Sequence, residues 1–428
     1  MVTVILIALV GAFQQHGSPA HAASNGLGPK PQMGWSSWSA LRGNISEAKI
    51  EAEANVMATS LKGVGFTYIN IDSGWTKAFD ANGRPTPDLS KFPHGISGVA
   101  SYVHGKGLKL GIYLLPGLFT TVYQANDKIF GTNISVRSIA DTSKQGNTEG
   151  NAYRIDYTKN GAKQYIQSIA NLVASWGVDY IKFDFVGPGG GKVAADNRAD
   201  MQQWETALQA TGRPIWIELS NNLSFTYAST WRTVANGWRI SGDVECYSAC
   251  NNTTLTNWSK ASSRFSLVPK WVPFAGPGGW NDLDSLEVGN GSKDGLTLDE
   301  RKAIMTLWCI SAAPLILGSD LTKLDSTDLG LLTNTEVLAV DQAGHPAHPV
   351  SQSSSQQVWF AKNPDGSYTV GLFNLGSSTA NVTVKWSNLG ISGAHSIRDA
   401  WGHKNLGSFT SSYTASLKTH ASLLLIIK

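Results

Sequence analysis

The sequence predicts an α/β chain: a (β/α)8 TIM barrel followed by a C-terminal antiparallel β-sandwich. Three observations carry the prediction. A unit of short apolar strand, polar or Gly-rich turn and amphipathic helix recurs between residues 30 and 335, and strand–helix alternation sustained that long argues for a barrel of parallel strands. From residue 340 to 428 apolar and polar residues alternate between short turns, as antiparallel strands require. A length of 428 residues exceeds one ordinary domain and accommodates a large domain with a smaller one behind it.

From the N-terminus, VTVILIALVGAF (2–13) is an apolar run too short to cross a bilayer, and Ala20-His21-Ala22 behind it has the small-x-small form of a cleavage site. Residues 1–22 read as a secretory signal peptide, and the mature chain as a secreted protein without a membrane span. The eight candidate barrel strands are PQMGW (31–35), FTYINID (66–72), LKLGIYL (108–114), VDYIKFD (178–184), PIWIEL (214–219), GWRIS (237–241), WVPFA (271–275) and APLILG (313–318). Between several of them lie stretches such as ISEAKIEAEANVMATSLKGVG and GAKQYIQSIANLVASWGVD, with apolar residues at helical spacing and a closing Gly that suits a helix C-cap. The second domain, 340–428, contributes QVWFAKN, SYTVGLFN, ANVTVKW and ASLLLIIK, joined by PDG and Gly-Ser turns. No Pro- or Ser-rich linker separates the two domains, so they are expected to dock rigidly.

Composition narrows the function. Charged residues make up 15% of the chain and the net charge is +3, so no basic field favours nucleic acid or another acidic partner. Forty-four glycines and 15 tryptophans suit an enzyme built on loops that handles sugar rings, although tryptophan is more often core filler than ligand platform. Of three cysteines, Cys246 and Cys250 in CYSAC can form one small disulfide, and Cys309 lies in an apolar run as a buried thiol. No further Cys or His stands near the CYSAC pair to complete a zinc site. GPGGGK (187–192) looks like a phosphate-cradling loop, but Val193 follows the Lys and the glycine spacing differs.

The strand GVDYIKFDFVG (177–187) raises a physical question, because Lys182 and Asp184 are charges in a run that is otherwise apolar. In a barrel the reactive groups stand at the C-terminal ends of the strands. Trp38 follows the first strand, Asp72 ends the second, Asp184 the fourth and Glu218 the fifth; Arg239 and Asp243 end the sixth, and Asp282 and Asp284 follow the seventh. Alternation puts Lys182 and Asp184 on one face, inside the barrel near its mouth. Acids gathered at one rim suit glycosidic cleavage, in which one carboxylate attacks the sugar carbon and a second carboxylic acid protonates the departing oxygen. Asp184 suits the nucleophile, kept ionised by Lys182 and held rigid by its strand. Asp243, in an aromatic-rich loop, suits the acid, and Arg239 is then expected to hold a sugar hydroxyl or the nucleophile rather than pair permanently with it. This chemistry needs neither metal nor cofactor, and its partner is a carbohydrate substrate.

The motifs PQMGWSSW, INIDSGW, GLKLGIY, YIKFDF, WRISGD, GPGGWNDLDSLEVGN and APLILGSDL, in this order, resemble the α-galactosidase family of retaining glycosidases, glycoside hydrolase family 27, over residues 30 to about 425. The resemblance implies that Asp184 is the nucleophile and Asp243 the acid/base. It also implies that Trp38, Asp72, Lys182, Glu218, Arg239 and Asp284 line the subsite for the terminal sugar. Ser73 belongs to that subsite but departs from the pattern, since α-galactosidases usually carry a second Asp there to grip the 4- and 6-hydroxyls of galactose. LLPGLFTTVYQAN replaces the usual cysteine-bearing loop after the third strand, and YIKFDF is not followed by the Asn-Cys that would complete its disulfide. The implied activity is release of terminal α-D-galactose, with β-L-arabinopyranosides and isomaltose units of dextran as the family's alternatives. A non-catalytic carbohydrate-binding protein on the same barrel is the alternative of another class, and the presence of both acids argues against it.

Overall fold

A computed structural model describes residue 23 and residues 25–428; the expected signal segment, residues 1–22, lies outside them. No helix among the described residues is long and apolar enough to cross a membrane.

Eight parallel strands form one curled sheet: β1 Met33–Ser36, β2 Tyr68–Ile71, β3 Lys109–Leu114, β4 Tyr180–Phe183, β5 Trp216–Leu219, β6 Gly237–Arg239, β7 Trp280–Asp282 and β8 Leu315–Leu317. They are ordered β7-β6-β5-β4-β3-β2-β1-β8. The residues just after β7 join the ends, with the Leu286 amide donating to the Ile316 carbonyl at 2.7 Å. Helices on the outside include α1 Glu47–Val56, α2 Gly95–Gly105, α3 Ala162–Ser175, α4 Arg198–Ala210, α5 Ala228–Val234, α6 Arg264–Trp271 and α7 Leu298–Ile310. Local chemistry sets their ends: Ser46 accepts from the Lys49 amide ahead of α1, and Gly65 (φ 113°) and Gly177 (φ 84°) turn the chain after α1 and α3.

The seventh strand is corrected. WVPFA is the end of α6 and a short helical turn, Val272–Phe274. Its aromatic and β-branched density suggested a strand, but Phe265, Val268 and Trp271 are buried three residues apart, which is helical spacing. The true β7 lies within GPGGWNDLD, after a turn in which Gly276 pairs with Gly279. A Cβ on Gly279 would stand 2.6 Å from the Trp238 ring, so only glycine lets β7 lie against β6 there.

Tyr68, Tyr180, Trp216 and Trp280 pack together inside the barrel as a separate aromatic cluster. Each lies two residues before an inward polar side chain: Asn70, Lys182, Glu218 and Asp282. The aromatic layer thus plugs one end of the barrel, and the charged layers stand above it toward the C-terminal ends of the strands.

The C-terminal part is an antiparallel sandwich. One sheet holds β9 Gln356–Lys362, β10 Tyr368–Asn374, β12 His395–Asp399, β13 Lys404–Phe409 and β15 Ser422–Ile427, with His348–Pro349 at its edge; the other pairs β11 Ala380–Lys385 with β14 Ser412–Leu417. Val370, Leu372 and Leu425 face the interior of the sandwich. Their neighbours Phe373 and Leu424, with Trp359, point the other way and join the barrel core.

Candidate active site

A cavity of about 510 Å³ opens at the C-terminal ends of the barrel strands, within the usual size range of small-molecule sites. Of the residues predicted from sequence, Trp38, Asp72, Ser73, Lys182, Asp184, Arg239, Asp243 and Asp284 line it. Glu218 does not. It stands one layer deeper, 3% exposed, beside Lys182 in register, and accepts from Trp216 Nε1 at 3.0 Å. The next inward residue of that strand, Ser220, stands at the Asp184 level and lies within 3.4 Å of Arg239 Nη1. Glu218 ends a strand in the sequence, but the barrel is deep enough that one further pleat separates it from the mouth.

Asp184 follows β4, its carboxylate accepting from the Phe185 amide at 2.8 Å. Burial pushes its carboxyl above the usual range, and nearby Asp72 adds to this against the opposing pull of Lys182 and Arg239. The direct partner of Lys182 is Asp72 rather than Asp184, with Nζ to Oδ2 at 2.9 Å. Burial alone would lower the Lys182 pKa, but Asp72 and Asp184 reverse this and hold the ammonium charged.

Asp243 stands in the loop after β6, its side chain 41% exposed. Arg239, 3% exposed, bridges it to Asp284, with one guanidinium nitrogen 3.0 Å from Asp243 Oδ1 and the other 3.0 Å from Asp284 Oδ1. This corrects the expectation that Arg239 would leave the acid unpaired: a buried guanidinium fork needs carboxylates on both prongs. Tyr247 donates to the other oxygen of Asp243 at 2.7 Å and accepts from Trp38 Nε1 at 3.0 Å. Burial alone would raise the Asp243 carboxyl; Arg239 and the Tyr247 hydroxyl overcome it and hold the group well below the usual range.

Two residues around the proposed acid went unrecognised in the sequence, both in the loop SGDVECY. Tyr247 sits in the left-handed region (φ 41°) and is covered by the Arg42 guanidinium, 4.5 Å from its ring centre. Glu245, buried, accepts from Ser39 Oγ at 2.8 Å; burial, with Asp284 and Asp243 nearby, pushes it up to about 7. The bond between Cys246 and Cys250 closes the turn that carries Tyr247 and begins directly after Glu245. The available signal was an acid and an aromatic within four residues of Asp243. Asp243, Glu245 and Asp284 bring oxygens within 4.8 Å of one another, the one such trio of potential metal ligands among the described residues, but Arg239 already bridges two of the three.

A paired-carboxylate site on a barrel has counterparts. Residues 30–142 and 149–343 match the family model described as alpha galactosidase A, and residues 353–427 match the alpha galactosidase C-terminal beta sandwich domain. The chain belongs to the α-galactosidase family, glycoside hydrolase family 27. It is similar to the alpha-galactosidase of Cyamopsis tetragonoloba, 31% identical over 414 residues, covering 95% of this chain and 88% of that one. Among solved structures it is similar to a β-L-arabinopyranosidase of this family from Geobacillus stearothermophilus (TM-score 0.86, 29% identity, 94% of this chain and 96% of that one). It also resembles alpha-galactosidase I from Mortierella vinacea (TM-score 0.76, 30% identity, 95% and 98%). The family makes this protein a glycosidase.

Proposed function

We propose that the protein is a retaining glycosidase that releases terminal α-D-galactose from oligo- or polysaccharides by double displacement. The observation that carries this is that Asp184 and Asp243 line one cavity, both half-buried, in unlike surroundings: Asp184 at a strand end, accepting from a backbone amide, and Asp243 on the loop after β6, held by Arg239 and Tyr247. Asp184 attacks the anomeric carbon while Asp243 gives its proton to the departing oxygen, leaving a glycosyl ester on Asp184. Asp243 then takes a proton from the water that cleaves that ester. The free enzyme holds these groups the wrong way round, with Asp184 raised and Asp243 depressed. Substrate entry must therefore loosen Arg239 from Asp243 before the acid can carry a proton.

A second reading, β-L-arabinopyranoside cleavage, is favoured by Ser73, whose neutral and shorter side chain lines the cavity where an acid would grip a sugar hydroxyl. The apolar segment with its small-residue site at 2–22 and the Cys246–Cys250 bond support export. The test of function is a panel of p-nitrophenyl α-D-galactoside, β-L-arabinopyranoside and α-D-glucoside, with dextran alongside. The galactoside should be turned over fastest. Dextran or the glucoside in first place contradicts the proposal, and Asp184→Ala should lose activity on the ~10⁴-fold scale of an essential group while its melting curve is unchanged.

A further inference from the structure

The wall of the cavity on the β3–β4 side carries Glu149, in a loop that the chemistry above does not use. One carboxylate oxygen, Oε1, pairs with Lys192. The other, Oε2, is buried and meets no hydrogen-bond partner, and a carboxylate oxygen shut from water without a donor is costly unless a ligand supplies one. The position is built. The Thr148 amide donates to the Phe185 carbonyl at 2.8 Å, and the Lys192 and Val193 amides donate to the Thr148 carbonyl at 2.7 and 3.1 Å. GPGGGK thus clamps the Glu149 loop against the residue after Asp184. Gly191 permits the clamp, since a Cβ there would stand 2.3 Å from the Thr148 side chain. Tyr113 lies in the field of Asp184, Asp72 and Glu149 together, and Ser73, Tyr113 and Glu149 line the same cavity as the nucleophile.

We propose that Glu149 is a specificity-determining residue whose free oxygen accepts a hydrogen bond from the hydroxymethyl arm at C5 of the terminal sugar. The argument is stereochemical and rests on the α-galactoside reading. In an α-D-pyranoside the leaving group departs from one face, and a nucleophile that displaces it attacks the other. The C5 arm projects from that other face, so it lies on the Asp184 side, where Glu149 stands. Ser73 on the same wall offers no charge, and Glu149 supplies it from a different loop.

The experiment compares kcat/KM for p-nitrophenyl α-D-galactopyranoside and p-nitrophenyl β-L-arabinopyranoside, the same ring without the C5 arm, in wild type, Glu149→Ala and Glu149→Gln. A lost hydrogen bond to a charged group predicts that the galactoside-to-arabinopyranoside ratio falls about tenfold or more in Glu149→Ala and less in Glu149→Gln, which keeps an acceptor of the same size. Arabinopyranoside turnover should stay within about threefold of wild type and serve as the control for folding. Equal losses on both substrates, no loss on either, or a wild-type enzyme that works on the arabinopyranoside alone overturns the assignment. A wild-type enzyme that turns over neither substrate refutes the underlying α-galactoside reading instead.

Discussion

Asp243 is caught between burial, which disfavours its charge, and two donors, Arg239 and Tyr247, that stabilise it. The donors prevail, and the acid of the proposed mechanism rests ionised. Removing the hydroxyl in Tyr247→Phe takes a hydrogen bond from the charged form, so the Asp243 pKa must rise. The alkaline limb of the kcat profile, which follows loss of the proton from the acid in the enzyme–substrate complex once Arg239 has been loosened, should then move up by about one pH unit, from the ~1.5 kcal/mol typical of a bond to a charged group. An alkaline limb that stays put or moves down in Tyr247→Phe removes Tyr247 from that role. Asp243→Gly should harm substrates with poor leaving groups far more than activated ones, because a good leaving group needs little protonation. Equal losses on both count against an acid/base at this position.

At the scale of elements, the barrel depends on close approach between strands. Gly34 in β1 faces Tyr68 in β2, and a Cβ on it would stand 2.7 Å from the Tyr68 carbonyl oxygen, a backbone atom that cannot swing aside. Gly34→Ala should cost about 1 to 3 kcal/mol, as overpacking does, read as a lowered denaturation midpoint at unchanged slope; a wild-type midpoint contradicts the tight packing. Most of these elements were legible in the sequence because each strand is a dense apolar run and each helix has its own spacing and cap. The exception is instructive: WVPFA has strand composition on helical spacing, and the true β7 holds only Trp280, Asn281 and Asp282 between glycines and an acidic turn. That Asp184 and Asp243 would reach the cavity was readable because a charge in an apolar strand, or after one, stands out. Glu218 misled because strand ends in sequence do not fix depth in the barrel, and the Arg239–Asp243 pair was hidden because pairing across a loop depends on tertiary geometry.

At the scale of the whole molecule, buried acids outnumber buried cations among the described residues. Burial pushes Glu245 up to about 7 and Asp282 up to about 6, and burial with the neighbouring Asp320 pushes Glu53 up to about 8. Unfolded, such groups ionise near pH 4; folded, they keep their protons longer, so between the two values the native state binds more protons and stability falls as pH rises. Their contribution is whole below about pH 4 and is lost as pH climbs through about 6 to 8. Thermal midpoints should therefore be higher at pH 5 than at pH 8, and a flat or rising trend contradicts the protonated burial of these acids. The second domain shares in this stability. Trp359, Phe373 and Leu424 join the barrel core, Arg398 pairs with Glu336 at 2.6 Å, and Trp401 Nε1 donates to Thr306 on α7 at 2.9 Å. These contacts dock the second domain on the barrel. The central claim is that Asp184 and Asp243 work as a double-displacement pair, and the stereochemistry of the first product tests it most directly. Proton NMR of an α-D-galactoside reaction, recorded before mutarotation, should show the α anomer of galactose appearing first. A β anomer formed first would mean that water, not Asp184, attacks the sugar, and the account of the site would be wrong.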